Sequence, residues 1–206
     1  MAHLLSAEET AQVAEHVAAA ERGTAGEIVV VLAERSAAYE GRRAAVSFTA
    51  TLLVAVALYR FVPAIHERWL LCGQAPLALG FWWLSGRRPV TRWIVPRAAQ
   101  TDAVQARSKQ VFLEHGVTET RERSGVLLFL SETEQRVELL ADRGIHERVG
   151  AELWQALVDE VVTQIRGGHA AAGITRAVDA IGARLAQHFP PSAGDTNELP
   201  DAPRQL

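Results

Sequence analysis

The chain has 206 residues, 49% hydrophobic and 22% charged, with a formal net charge of −3 and a single cysteine. These values fit one globular domain of ordinary size with residues to spare. They make no case for nucleic acid as a partner, and they leave no intrachain disulfide. The opening "MAHLLSAEET" has neither a basic n-region nor an apolar h-region, so no secretory signal peptide is expected.

In chain order, "SAEE" predicts a helix start, with Ser6 as N-cap and Glu9 closing a capping box. Val13, Val17 and Ala20 follow at helical spacing, and Gly23 and Gly26 end the helix. "EIVVVLAE", Glu27 to Glu34, predicts a buried strand. Beyond the apolar zone, a helix is expected from about Ala98 to His115, capped by Gly116. Val126 to Leu130 and Arg136 to Ala141 predict two strands of a hairpin turned at "ETEQ". Helices from about Glu147 to Arg166 and from Ala170 to His188 complete the pattern, parted by "GGH". The tail "PPSAGDTNELPDAPRQL" is expected to be disordered. Three strands make a narrow sheet, and a fourth has no assigned place, near Ile94 or Thr118 at best.

Between Ala44 and Gly86 charge nearly vanishes. Ala44 to Val62 and Trp69 to Ser85 are each about long enough for a membrane span of roughly 17–25 residues. Tryptophans 69, 82, 83 and 93 fall near the run ends, as an aromatic belt would place them. A buried helical hairpin in a soluble core is the competing possibility. Seven arginines flank the zone (Arg35, Arg42, Arg43, Arg87, Arg88, Arg92 and Arg97), against Arg60 and Arg68 in and beside the connector. That bias predicts a two-pass protein of the cell membrane with both termini cytoplasmic. The expected divisions are a first part over 1–43, a transmembrane helical hairpin over 44–86, a second part over 87–190 and the tail over 191–206. The expected fold class is α/β: an α/β/α sandwich with a small mixed sheet, interrupted by a two-helix transmembrane hairpin.

"TAGEIVVVL", "SGVLLFLSETEQRVELLADRGI" and a helix pair ending in "HFP" resemble the TPM domain family. The family takes its name from a thylakoid lumen protein, a photosystem II repair factor and an acetylcholine-receptor accessory protein. The resemblance covers about Leu4 to Pro190, with the apolar zone inserted after the first strand, and points to a membrane-bound bacterial subgroup. It implies an α/β/α sandwich, calcium binding in some members and a phosphatase activity claimed for a plant member. The family's Asn-Asn-Gly turn stands here as Arg123-Ser124-Gly125, without its two amides. Its Gly-x-Gly stands as Asp142-Arg143-Gly144, with only the second glycine. Glu27 matches the family's strand-opening glutamate.

Catalytic signatures are sparse. "HERVG" and "HERWL" lack the second histidine of a zinc-protease motif, and there is no nucleophile elbow or phosphate loop. Asp142, at a strand end, is the best candidate; with Glu132 or Glu134 from the hairpin turn it would offer oxygen ligands to Ca2+ or Mg2+. The plainer role for Asp142 is to cap the following turn, and for Glu27 to bind backbone or an arginine. His115 and His188 fit helix C-termini, Cys72 an inert small hydrophobe, and Trp154 core packing. The expected function is a membrane-anchored accessory or scaffold factor whose partners are the lipid bilayer and other membrane proteins. The alternatives are a metal-assisted phosphatase-type hydrolase and a calcium-binding module.

Overall fold

The structure, a computed structural model, describes residues 5–62, 66–120, 123–146, 151–167, 169–191 and 198–206, without the side chains of residues 67, 119, 146, 151–157 and 166. The chain forms two compact units, Met1–Ser36 with Thr101–Leu206 (unit 1) and Ala37–Gln100 (unit 2).

Unit 1 is a mixed four-stranded sheet with helices on both faces. Strand β1, Glu27–Ala33, lies parallel to β2, Gly125–Ser131, in register from Glu27↔Gly125 to Ala33↔Ser131. Strand β3, Arg136–Ala141, returns antiparallel to β2, and the sheet order is β3-β2-β1-β4. The two central strands are buried along their whole length, which is why both read as unbroken apolar runs rather than as alternating ones. Alternation still sorts their faces. Ile28, Val30, Leu32, Val126, Leu128 and Leu130 meet Val13 and Val17 of α1 (Ala7–Glu21) and the inner face of α8 (Ala170–His188). Val29, Val31, Leu127 and Phe129 meet Val104 and Val111 of α5 (Arg97–Glu114). Each such side chain contributes roughly 1.5–3 kcal/mol on burial. Helix α7, Ala151–Arg166, packs against α8 and β3. A short helix α6, Arg143–His146, leads toward it, and a 3-10 turn, Val117–Glu119, precedes β2. The predicted capping box is present: the Ser6 N–H donates to Glu9 Oε2 at 2.8 Å, and the Glu9 N–H donates to Ser6 Oγ at 3.2 Å.

The fourth strand corrects the expectation of a disordered tail where the tail is described, over 198–206; residues 192–197 lie outside the described residues. Arg204–Gln205 forms β4, parallel to β1 beside Val31 and Leu32. The Leu206 N–H donates to Leu32 O and the Glu34 N–H to Leu206 O, both at 2.9 Å. Without the tail, this edge of the hydrophobic β1 would present unpaired N–H and C=O groups. A segment rich in proline is already inclined to be extended, so ordering it against that edge costs less than composition alone suggests.

Unit 2 is built from α2 (Glu40–Phe61), α3 (Glu67–Ser85), α4 (Arg88–Ile94) and the start of α5. Helices α2 and α3 pack against each other. They run antiparallel, because Arg43 at the start of α2 donates from Nη2 to the carbonyl of Trp82 near the end of α3, at 3.1 Å. Among the described residues, α2 is the one helix long and apolar enough to cross a membrane, with 11% of its most apolar stretch buried. The expected pair of spans is therefore supported at one helix only. Helix α3 opens with Glu67 and Arg68 and is interrupted by Gln74 and Pro76, which lowers its apolar character below a span's.

Candidate functional site

Asp142 ends β3 at the same margin of the sheet where β1 and β2 begin. Its N–H donates to Gly125 O at 2.9 Å, and its carbonyl accepts from the Ile145 N–H at 3.0 Å. Its Oδ1 accepts from the Arg143 N–H at 2.6 Å. The turn-capping role is thus real, and it occupies one carboxylate oxygen. The other, Oδ2, is buried without a hydrogen-bond partner, in a residue only 6% exposed. Gly125 is needed here for space. A Cβ on it would sit 2.3 Å from the carbonyl oxygen of Val117, which crosses directly over the strand.

The structure does not bring the three predicted carboxylates together. Ser131 pairs with Arg136 at the hairpin end of β2 and β3, while Val126 pairs with Ala141 at the other. Glu132 and Glu134, in the turn, are therefore separated from Asp142 by the length of the strand, more than about 15 Å at roughly 3.4 Å per residue. Antiparallel pairing is the reason: residues on either side of β3 in the sequence go to opposite ends of the sheet. Glu134, 4% exposed, is spent on architecture. It accepts from the Ser36 N–H at 3.3 Å and from the Ser131 hydroxyl, and so pins the exit of β1 to the hairpin. The Glu132 N–H donates to Ala33 O at 2.9 Å. Among the described residues no group of three or more His, Cys, Asp or Glu side chains converges as a metal site would require.

A second group of carboxyls gathers at the start of β1: Glu27 binds backbone, as expected, and its grouping with Glu21 and Asp201 was not foreseen. Glu27, 6% exposed, accepts from the tail backbone: Oε1 from the Glu198 N–H at 3.0 Å and Oε2 from the Leu199 N–H at 3.3 Å. Glu21, in the last turn of α1, accepts from the Ile28 N–H at 2.7 Å through Oε1, and its Oε2 is buried without a hydrogen-bond partner. Burial pushes the Glu21 carboxyl up to about 8, with the charges of Glu27 and Asp201 acting in the same direction. Glu21 thus holds a proton near neutrality beside the docked tail. One sequence signal pointed here. An acidic residue in the last turn of a helix opposes the helix dipole, and such a placement needs a local reason.

At the other end of the tail, Arg204 Nη1 donates to His115 Nδ1. Burial lowers the pKa of His115, and the Arg204 charge lowers it further. His115 therefore favours the neutral ring as an acceptor, which corrects its reading as a cation at a helix end: burial, and then the arginine, outweigh the dipole. Cys72 is exposed on α3. Trp154 lies outside the described side chains.

Comparison with known proteins follows the same outline. No curated protein matches the chain. The NMR structure of the BA42 protein from the psychrophilic bacterium Bizionia argentinensis is similar in fold, with a TM-score of 0.61 and 19% sequence identity, covering 98% of this chain and 95% of that one. The family model described as the TPM domain matches residues 90–184, the stretch that carries α5, β2, β3 and most of α8.

Proposed function

We propose that the chain is a membrane-anchored TPM-like protein: unit 2 is a two-helix hairpin seated in a bilayer, and unit 1 is an α/β domain that serves other membrane proteins as an accessory or scaffold. The observation that carries this is the inverted burial of unit 2. Its exposed side chains include Phe48, Leu53, Tyr59, Trp69, Leu71 and Trp83, while Ser47, Thr51, Ser85 and Thr91 are buried. Small and hydroxyl-bearing residues between helices, with large apolar ones facing outward, is the pattern of helices solvated by lipid.

Chain topology supports the pair rather than one span. Strands β1 and β2 flank the hairpin in sequence and pair along seven residues, so the chain must leave and re-enter unit 1 on one side of any bilayer. A spanning α2, about 33 Å long at about 1.5 Å per residue, therefore requires α3 to return. The arginine bias supports the cytoplasm as that side. The test is fractionation of the tagged full chain with an alkaline carbonate wash. Retention in the washed membrane pellet is expected; release into the soluble fraction would remove the anchor.

A second reading, a calcium-binding module, is favoured by the buried, unpartnered Oδ2 of Asp142, an acceptor suited to a hard cation. One carboxylate supplies few of the roughly 6–8 oxygens calcium takes, so backbone carbonyls and water would complete the shell. Millimolar calcium should then raise the melting temperature, and Asp142→Asn, which keeps the Oδ1 acceptor, should abolish the rise. The metal-assisted phosphatase has less support, because Glu132 and Glu134 lie at the far end of the strand. Phosphate-ester hydrolysis by the full chain that vanished in Asp142→Asn would reinstate it against the scaffold role.

A further inference from the structure

Charge is divided sharply along this chain. Unit 2, Ala37–Gln100, holds eight arginines against Glu40 and Glu67, a formal +6, so that the remaining residues carry −9 of the total −3. Six of those arginines (Arg42, Arg43, Arg87, Arg88, Arg92 and Arg97) gather where α2 begins, α3 ends and α4 follows. That they share one end of the hairpin is fixed by contacts: Arg43 bonds the Trp82 carbonyl, and the Thr91 hydroxyl of α4 bonds Ser85 O at 2.9 Å. Tryptophans stand among them. The Arg43 guanidinium lies 4.5 Å over the Trp82 ring and that of Arg87 3.9 Å over the Trp83 ring. Trp83 is 64% exposed and Trp93 88%.

We infer that this end of unit 2 is a docking surface for the headgroups of anionic phospholipids. The inference rests on the hairpin anchor proposed above and adds the chemistry of the lipid it selects. Three features combine. The apolar flanks of α2 and α3 set a depth, the exposed indoles suit the boundary between acyl chains and headgroups, and the guanidinium forks match phosphate oxygens at that same level. Stacking on Trp82 and Trp83 holds two of the forks in place, so fewer side-chain rotamers are lost on binding. The short Arg60–Arg68 end of the hairpin, with Glu67 beside it, has no comparable surplus. A nucleic acid would also meet the positive charge, but nothing in it would cover the apolar residues beside the arginines.

The test uses the full chain reconstituted into phosphatidylcholine vesicles that contain a minority of acyl-brominated phosphatidylglycerol, against the same fraction of brominated phosphatidylcholine. Bromine quenches nearby tryptophan, so the ratio of the two signals reads local lipid enrichment. Quenching by the anionic lipid should exceed that by the neutral one by about twofold or more, given the attraction each basic residue feels at an anionic surface. The excess should fall as salt rises. The combined Arg87→Gln, Arg88→Gln and Arg92→Gln variant should equalise the two signals while still being quenched. Equal quenching in the unaltered chain overturns the lipid preference and leaves the anchor standing. No quenching by either lipid overturns both. Should the variant fail to fold, the salt dependence of the unaltered chain decides alone: an excess indifferent to salt overturns the inference. Tighter binding of the arginine-rich end to duplex DNA than to anionic vesicles overturns it as well.

Discussion

In unit 1 the side chains sealed from solvent are Leu128, Phe129, Ile174, Ile181 and their neighbours; in unit 2 they are chiefly Ser47, Thr51, Ser85, Thr91 and Gln100. All but Leu113 and Leu206 of the large apolar side chains exposed in the described chain belong to unit 2. One polypeptide thus follows two burial rules, and the solvent each unit meets is the economical explanation of the difference. Water drives apolar groups inward in unit 1. On the proposed bilayer reading no such drive orders the helices of unit 2, where the sealed side chains include hydroxyls such as that of Thr51, which bonds back to Ser47 O at 2.8 Å.

The sharpest way to break the comparison is to truncate a phenylalanine in each unit and follow unfolding of the detergent-solubilised full chain. Phe129→Ala, at a position with no exposure, should cost about 3–5 kcal/mol through lost transfer energy and the cavity left behind. Phe48→Ala, at a position 71% exposed, should change stability by under about 0.5 kcal/mol. Equal losses would mean that unit 2 has an apolar core after all. Next in size is Thr51→Leu. In a conventional amphipathic helix, making a buried threonine apolar is tolerated or helpful. Between α2 and α3, where Thr51 is 6% exposed, the extra volume should separate the helices at a cost of about 1–3 kcal/mol.

Unit 1 was largely legible in the sequence because its signals are local. The capping box at Ser6 and Glu9, the runs Glu27–Ala33 and Gly125–Ser131, and the amphipathic faces of α7 and α8 each state their own structure. What stayed hidden was set by pairing between distant residues. Composition marks 191–206 as disordered, yet Glu27 captures the backbone of Glu198 and Leu199 from across the sequence. The acids Glu132, Glu134 and Asp142 are close in sequence, and the antiparallel register of β2 and β3 is what parts them. The Glu21, Glu27 and Asp201 group left only separate local signs, an acid at a helix end and a strand-opening glutamate; its assembly could not be read, since its members come from a helix end, a strand start and a tail with no shared motif.

That group makes the tail the titratable seam of unit 1, in contrast to the arginine-dominated unit 2. Glu21 carries a pKa raised from an ordinary 4.5 to about 8. The folded state therefore holds a proton that the unfolded chain has released, and stability should fall as pH rises from about 4.5 to about 8 and then level off. Glu21→Gln keeps the acceptor for the Ile28 N–H and removes the charge. Its melting temperature should exceed that of the unaltered chain by a margin that opens across the same window, with a gain of order 1 kcal/mol above pH 8. A margin constant with pH would place the proton elsewhere.

The smallest effect is expected at the other end of the tail, and its sign is opposite. The pKa of His115 is depressed by burial and then by Arg204, so the folded state favours the neutral ring. The stability this contact contributes is present above the ordinary histidine value of 6.5 and is lost as pH falls below it toward the folded value. Arg204→Ala removes the donor and the repelling charge together. At pH 7.5 the variant should lose no more than about 0.5–1 kcal/mol, while its decline on acidification should be shallower, because burial and the weaker Arg107 charge alone still oppose protonation of the ring. Amide exchange at Glu34, whose N–H is held by Leu206 O, reports the docked tail directly. Its protection in the unaltered chain should decline through Glu21 as pH rises from about 4.5 to about 8 and level off above that, with the opposing loss from His115 confined to pH below 6.5. Protection independent of pH would show that the tail is held by its backbone pairing and the packing of Leu199 alone.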